Sequence, residues 1–209
     1  MEKETKNTFF ITGISTDVGK TIVSAIVTEA LQADYWKPIQ SGDLYNSDSD
    51  KVKRLISNPK SAFHPSAYAL QTPASPHWAA QVDGVQIEIE KIIRPATENQ
   101  LVIEGAGGLL VPLNNQYTIA NLMLPSDKII LVSRHYLGSI NHTLLTFEAL
   151  KQRGLSVFGI VFSGESNPSS EAVILEKTNA RLLGNIDEEP YFDKSVIAYY
   201  ADKFKSMFI

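Results

Sequence analysis

Short apolar runs and helical stripes alternate along this chain. Residues 8–12 (TFFIT) make a strand-length apolar run. Over residues 20–32, Ile22, Val23, Ile26, Val27, Ala30 and Leu31 recur at the spacing of one helix face. Residues 35–38 read as a short second strand, and 48–56 as a helix turning Val52, Leu55 and Ile56 inward. Residues 58–86 carry Pro59, Pro65, Pro73 and Pro76 and read mostly as loop, with a short helix after Pro76. A helix is expected over 86–93. The run 101–104 (LVIE) predicts a buried strand that ends in a glycine turn at 105–108, and 128–133 (KIILVS) predicts another. Then come a helix at 139–152 closed by Gly154, a strand at 157–162, a helix at 168–179 with proline near its start, a brief strand at 182–184 and a closing helix at 193–208. This alternation predicts an α/β fold: a mainly parallel central sheet flanked by helices on both faces. No repeat or low-complexity linker interrupts it, so one domain over residues 1–209 is expected.

The first strand leads into Gly13-Ile14-Ser15-Thr16-Asp17-Val18-Gly19-Lys20-Thr21, and the first helix follows at once. A phosphate-binding loop needs this context, because its backbone N–H groups and the helix N-terminus must converge on one anion. Lys20 is expected to reach the β and γ phosphates of a nucleotide, and Thr21 to bind Mg²⁺. Five residues separate Gly13 from Gly19, where the usual loop has four. The bland reading is a βα turn with a chance Gly-Lys-Thr. Strand, glycine, Lys-Thr and amphipathic helix together favour a P-loop NTPase fold.

Lys37 ends the second strand, on the sheet edge where α/β folds bind ligands. From the residues alone it reads equally as a cation facing the loop or as a lysine snorkelling to solvent. Glu104 ends a buried strand beside glycines, the usual place for a Mg²⁺-coordinating carboxylate. Its bland reading is a carboxylate satisfied by backbone N–H groups of the glycine turn. Asp48 and Asp50 lie in an acidic loop, where either is a candidate metal ligand or simply a helix N-cap.

Composition narrows the field. The net charge of −4 disfavours a nucleic-acid surface, and 44% apolar residues suffice for a large core. The chain has no cysteine, which removes disulfides, thiolate metal sites and cysteine nucleophiles. Residues 1–7 are polar and charged rather than signal-like, and Glu104, glycines and Pro112 break the longest apolar stretch, 101–113. A soluble, cytoplasmic protein without membrane or nucleic-acid partners is expected.

With these residues assembled, the chain resembles the dethiobiotin synthetase family. The matching segments appear in order: Thr12-Gly13 to Lys20-Thr21, Lys37-Pro38 with Ser41-Gly42, Asn46-Ser47-Asp48, Ser75-Pro76-His77, Glu104-Gly105-Ala106-Gly107-Gly108 with Pro112-Leu113, and Leu137-Gly138-Ser139-Ile140-Asn141-His142. The resemblance implies that ATP, CO₂ and 7,8-diaminopelargonic acid are joined through a carbamate and a carbamic-phosphoric anhydride. It makes Lys20 and Lys37 catalytic, and Thr21, Asp48 and Glu104 the Mg²⁺ ligands. ATP is assigned to Asp17, Val18, Gly19, Lys20, Thr21, Ile22, Asp48, Glu104, Gly105, Ala106 and Gly107. The diamine is assigned to Thr16, Ser41, Gly138, Ser139, Ile140 and Asn141, the last four reaching across a homodimer interface.

The family pattern fades toward the C-terminus. Ser163-Gly164-Glu165 stands where many members carry an Asn-Asp-like pair for adenine, and Asp187 where many carry proline. A rival reading is a switch-type P-loop ATPase of the positioning and partitioning class. Its signature lysine falls within Ser15, Thr16 and Asp17, where none is present.

Overall fold

A computed structural model describes residues 7–208; the polar segment read at 1–7 lies outside them except for Asn7. The elements in order are β1 (Thr8–Gly13), α1 (Lys20–Leu31), β2 (Asp34–Trp36), β3 (Ile39–Ser41), α2 (Asp48–Leu55), β4 (Phe63–His64), β5 (Tyr68–Leu70), α3 (Pro76–Val82), β6 (Leu101–Gly108), β7 (Lys128–Arg134), α4 (Ser139–Gln152), β8 (Val157–Ser163), α5 (Pro168–Thr178), β9 (Leu182–Ile186) and α6 (Lys194–Phe208). The central sheet has seven strands in the order β4-β2-β6-β1-β7-β8-β9, paired in parallel throughout. Strands β3 and β5 form a small parallel pair beside it.

Alternation along the buried strands builds two cores, one on each face of the sheet. Phe9, Ile11, Tyr35 and Val102 join Val23, Ile26 and Val27 of α1 and Ile197, Tyr200 and Phe204 of α6. Phe10, Trp36, Ile103 and Ile129 point the other way, toward Ala79 and Ala80 of α3 and Leu150 of α4. Burying each large side chain stabilises the fold by roughly 1.5–3 kcal/mol. Helices therefore cover both faces, as the alternation predicted.

Four expectations need correction. Residues 105–108, three glycines and Ala106, do not make a turn. They continue β6 alongside β1, with a register slip between Ile11 and Gly13. Small residues suit this crowded place, because a Cβ on Gly105 would meet Ile119, Phe10 and the Ile11 carbonyl at 3.2–3.4 Å. The helix expected over 86–93 shrinks to a single 3₁₀ turn, Ile89–Lys91. The Tyr68 hydroxyl takes the Glu88 N–H at 3.0 Å and donates to the Glu88 carbonyl at 3.4 Å, pinning Glu88 in an extended conformation (φ −107°, ψ 121°) that a helix cannot include. Finally, the segment read as loop, 58–86, contains β4 and β5 besides the expected short helix, α3. In addition, β2 stops at Trp36 and the chain re-forms a strand at Ile39.

Candidate active site

The loop between β1 and α1 closes tightly. Ile14 N–H donates to the Val132 carbonyl at 3.1 Å, and the Ser163 hydroxyl donates to the Val18 carbonyl at 2.8 Å. Gly19 precedes α1 at φ 93°, and no side chain caps the helix. A side chain at that φ is strained, and the uncapped N–H groups remain available to an anion. Asp17 also takes a left-handed conformation, at φ 55°. The Lys20 ammonium folds back onto the Ser15 carbonyl at 2.9 Å. Burial, with the Lys37 charge adding to it, lowers the Lys20 pKa to about 8.

Glu104 is the hub of the site. It is 1% exposed, near the end of the buried part of β6. Its Oε1 accepts from Thr21 Oγ1 and from Lys37 Nζ, both at 2.9 Å, and its Oε2 accepts from the Tyr35 hydroxyl at 2.8 Å. The glycine-turn reading of this carboxylate therefore gives way: side chains, not backbone N–H groups, satisfy it. Lys37 is 4% exposed, so it does not snorkel. Its ammonium also reaches Asp48 Oδ2 at 2.7 Å and the Gly105 carbonyl at 3.2 Å. Burial opposes its charge, but Glu104 and Asp48 outweigh that and raise its pKa. Burial likewise pushes Asp48 up, and the Lys37 charge more than reverses it, leaving the carboxyl below its ordinary value. Burial and the Glu104 charge hold the Tyr35 phenol protonated well above its usual range.

The structure separates Asp48 from Asp50. Ser47 is the N-cap of α2, and Asp50 returns to the Ser47 N–H and hydroxyl in a capping box. Asp48 faces Lys37 instead. Two residues that pattern reading overlooked hold this arrangement. Gln40 is 6% exposed; its carbonyl oxygen accepts the Asp48 N–H at 3.2 Å, and its amide donates to the Gly42 carbonyl at 3.0 Å. Tyr35 is fully buried and anchors Glu104. One signal in the sequence pointed to Tyr35: it stands two residues before Lys37, so a strand puts both on one face.

A cavity of about 520 Å³ opens over these groups, lined among others by Thr16, Asp17, Lys37, Ser41, Asp48 and Gly107. Ala106 belongs to the same wall, and Ser41 Oγ is buried without a hydrogen-bond partner among the described residues. Thr16 and Val111 are shared with a second cavity of about 430 Å³, which extends along α4 to His142 and Leu145. Thr21 and Ile22 border a third hollow toward Arg54 and Phe192. Gly138, Ser139, Ile140 and Asn141 are not brought to the first cavity. Gly138 caps α4 at φ 102°, Ser139 is buried and Asn141 is exposed.

Among the described residues no three His, Asp or Glu side chains form a ready-made metal cage. Thr21, Asp48 and Glu104 instead offer hard oxygens, already gathered around the positive charge of Lys37. That suits Mg²⁺, which takes few protein oxygens and completes its shell with phosphate and water. No described helix is long and apolar enough to cross a membrane.

Comparison with known proteins agrees with this geometry. A family model described as an AAA domain matches residues 7–195. The chain is 61% identical over 197 residues to an ATP-dependent dethiobiotin synthetase BioD of Christiangramia forsetii, covering 94% of this chain and 95% of the relative. It is 51% identical to the protein of the same name from Cytophaga hutchinsonii, covering 93% and 95%. Among solved structures, it resembles a MinC:MinD cell division complex of Aquifex aeolicus (TM-score 0.60, 14% identity, 96% of each chain). It also resembles a putative plasmid partition protein of Borrelia burgdorferi bound to AMPPNP (TM-score 0.58, 16% identity, 97% and 98%). At such identities these two share the fold only.

Proposed function

The chain belongs to the dethiobiotin synthetase family, and on that premise we propose that it carboxylates and cyclises 7,8-diaminopelargonic acid with CO₂ and MgATP, yielding dethiobiotin, ADP and phosphate. One amine adds to CO₂ and loses a proton, giving a carbamate. A carbamate oxygen attacks the γ-phosphorus of ATP and ADP leaves. The second amine then attacks the carbamoyl carbon of the mixed anhydride, the C–O bond to phosphate breaks, and the ring closes as a proton departs.

The observation that carries this reading is the network that joins Thr21, Lys37, Asp48 and Glu104 by hydrogen bonds and ion pairs, with Lys20 close enough to feel their charges and with Lys37 and Asp48 lining the cavity. Phosphoryl transfer asks for position and compensating charge rather than a protein nucleophile. The loop N–H groups and Lys20 bind the ATP phosphates. Lys37 stabilises the charge that develops between carbamate and γ-phosphate. Thr21, Asp48 and Glu104 would hold Mg²⁺, which when bound neutralises phosphate charge. Thr16 and Ser41 contact the diamine or carbamate, and Asp17 to Ile22 with Gly105 to Gly107 surround the nucleotide. The active form is a cytoplasmic homodimer in which residues 138–141 of one subunit hold the diamine carboxylate bound to the other. The test is phosphate release from MgATP in bicarbonate buffer, with and without the diamine. Release that requires the diamine and produces dethiobiotin supports the reading; diamine-independent release by folded protein overturns it.

A further inference from the structure

Tyr35 has no part in the chemistry above, yet its phenol reaches the most connected carboxylate of the site. We propose that Tyr35 is a positioning residue for the metal site: it fixes Glu104 so that a single oxygen faces the cation. This rests on Glu104 being a metal ligand.

The two oxygens of Glu104 are divided between two sides of the site. Oε1 receives Thr21 and Lys37, the groups at the loop edge, each at 2.9 Å. Oε2 receives only the Tyr35 hydroxyl, at 2.8 Å. The phenol cannot easily turn away. Tyr35 is 0% exposed, β2 pairs it with Val102 of β6, and its ring lies 5.6 Å from that of Phe63. Register and alternation put Tyr35 on the face that carries Val102 and Glu104. Without the hydroxyl, Oε2 would be a buried acceptor lacking a partner, and only the bonds to Oε1 would orient the carboxylate. Groups that orient a metal ligand in this manner set metal affinity without touching the metal, and their loss costs roughly 10–100-fold.

The competing account is that Tyr35 is a core residue whose hydroxyl merely found an acceptor. Tyr35→Phe separates the two, since it keeps the ring and its packing and deletes only the donor. The experiment uses the full chain and measures two quantities: ADP affinity in EDTA by calorimetry, and Mn²⁺ affinity of the ADP complex by electron paramagnetic resonance. Wild type, Tyr35→Phe, Glu104→Gln and the double variant are compared. The expected result is unchanged metal-free ADP binding in Tyr35→Phe, with Mn²⁺ held about tenfold more weakly. In the Glu104→Gln background the same change should then have no further effect, because its target is gone. Wild-type Mn²⁺ affinity in Tyr35→Phe, equal weakening of metal-free ADP, or full additivity in the double variant each overturns the proposal. If Glu104→Gln itself keeps wild-type Mn²⁺ affinity, the assignment of Glu104 as ligand fails, and this proposal falls with it. If only Tyr35→Phe is silent, that assignment survives and the proposal alone is lost.

Discussion

The Lys37 ammonium lies 2.7 Å from the Asp48 carboxylate, and the same nitrogen lies 2.9 Å from Glu104. Two carboxylates, Glu104 buried and Asp48 partly so, thus share one lysine at the spot where the proposed metal ligands converge, and Lys51 pairs with Asp48 from the other side at 3.3 Å. Lys37→Met keeps most of the stem and removes the charge. Turnover should fall by roughly 10²–10³, the effect of losing one preorganised donor. Leaving the buried Glu104 carboxylate without its cation also costs stability, about 3–5 kcal/mol when one partner of such a pair is removed. Thermal melts check this. In EDTA the variant should melt well below wild type, and MgADP should raise its Tm more than it raises that of wild type. An unchanged Tm in EDTA would show that the ammonium does not hold the carboxylates together.

Lys20 makes nucleotide binding sensitive to pH. Its pKa is lowered to about 8, chiefly by burial. The protonated form binds phosphate, so binding favours it and must raise that pKa. Below about pH 8 the charge is already present and costs no proton uptake. Above it, the free protein is mainly neutral at Lys20 and must gain a proton as ATP binds. ATP affinity should therefore decline as pH rises through about 8 and be flat below it. Calorimetry at pH 8.5 in buffers of different ionisation enthalpy should report net proton uptake, which Lys20→Met abolishes. Proton release at that pH contradicts the argument.

Far from the chemistry, Asp34 ties the β2 edge of the sheet together. Its carboxylate accepts from the Ala62 N–H at 3.0 Å, Thr97 Oγ1 at 2.6 Å and Asn99 Nδ2 at 3.1 Å, and His64 Nε2 lies 3.1 Å away. Burial works to raise its pKa, but these hydrogen bonds outweigh it and hold the group below the ordinary 3.8. A carboxyl with a depressed folded pKa contributes stability above 3.8, and that contribution is lost as pH falls through the lower folded value. Asp34→Asn should cost about 1–3 kcal/mol near neutrality, read from urea unfolding. The gap to wild type should narrow once the pH drops below 3.8. A gap that stays constant down to pH 3 would mean that the charge plays no part.

Local chemistry made much of the site legible in the sequence. The phosphate loop and Glu104 stand out through short motifs at strand ends, whereas Lys37 on its own read equally as a site cation or a snorkelling side chain. What stayed hidden depends on contacts between distant segments. Tyr35 and Glu104 are 69 residues apart in the chain, so neither motif contains their hydrogen bond. Gln40 is only eight residues from Asp48, but a side-chain oxygen taking a helix-start N–H leaves no mark in a residue pattern. Strands β4 and β5 are only two and three residues long, too short for alternation to register. The false helix over 86–93 had a plausible pattern, but the tertiary demand of Tyr68 on the Glu88 backbone outweighs it.

The last prediction concerns the proposed dimer. Gly138 to Asn141 open α4 away from the cavity of their own chain, and the apolar residues around them face outward. Leu137 is fully exposed, Leu145 is 59% exposed and Leu110 is 50% exposed. Leu110 and Leu145 also line the cavity that Thr16 shares with the site. Exposed apolar side chains of this kind beside a binding cleft suit a self-complementary contact with a second copy of the chain. Leu145→Glu plants a charge on that face, in the cavity that Ile14, Ser15 and Thr16 also line, and leaves Lys20, Thr21 and Lys37 in place. Sedimentation should show monomers at concentrations where wild type is dimeric. ATP affinity should stay within about twofold, since the phosphate loop lies within one chain. The KM for the diamine should rise by roughly five- to thirtyfold, because losing one helix-terminal carboxylate contact removes about 1–2 kcal/mol of binding. A monomeric Leu145→Glu that keeps the wild-type KM for the diamine would place the whole substrate site within one subunit and remove residues 138–141 from it.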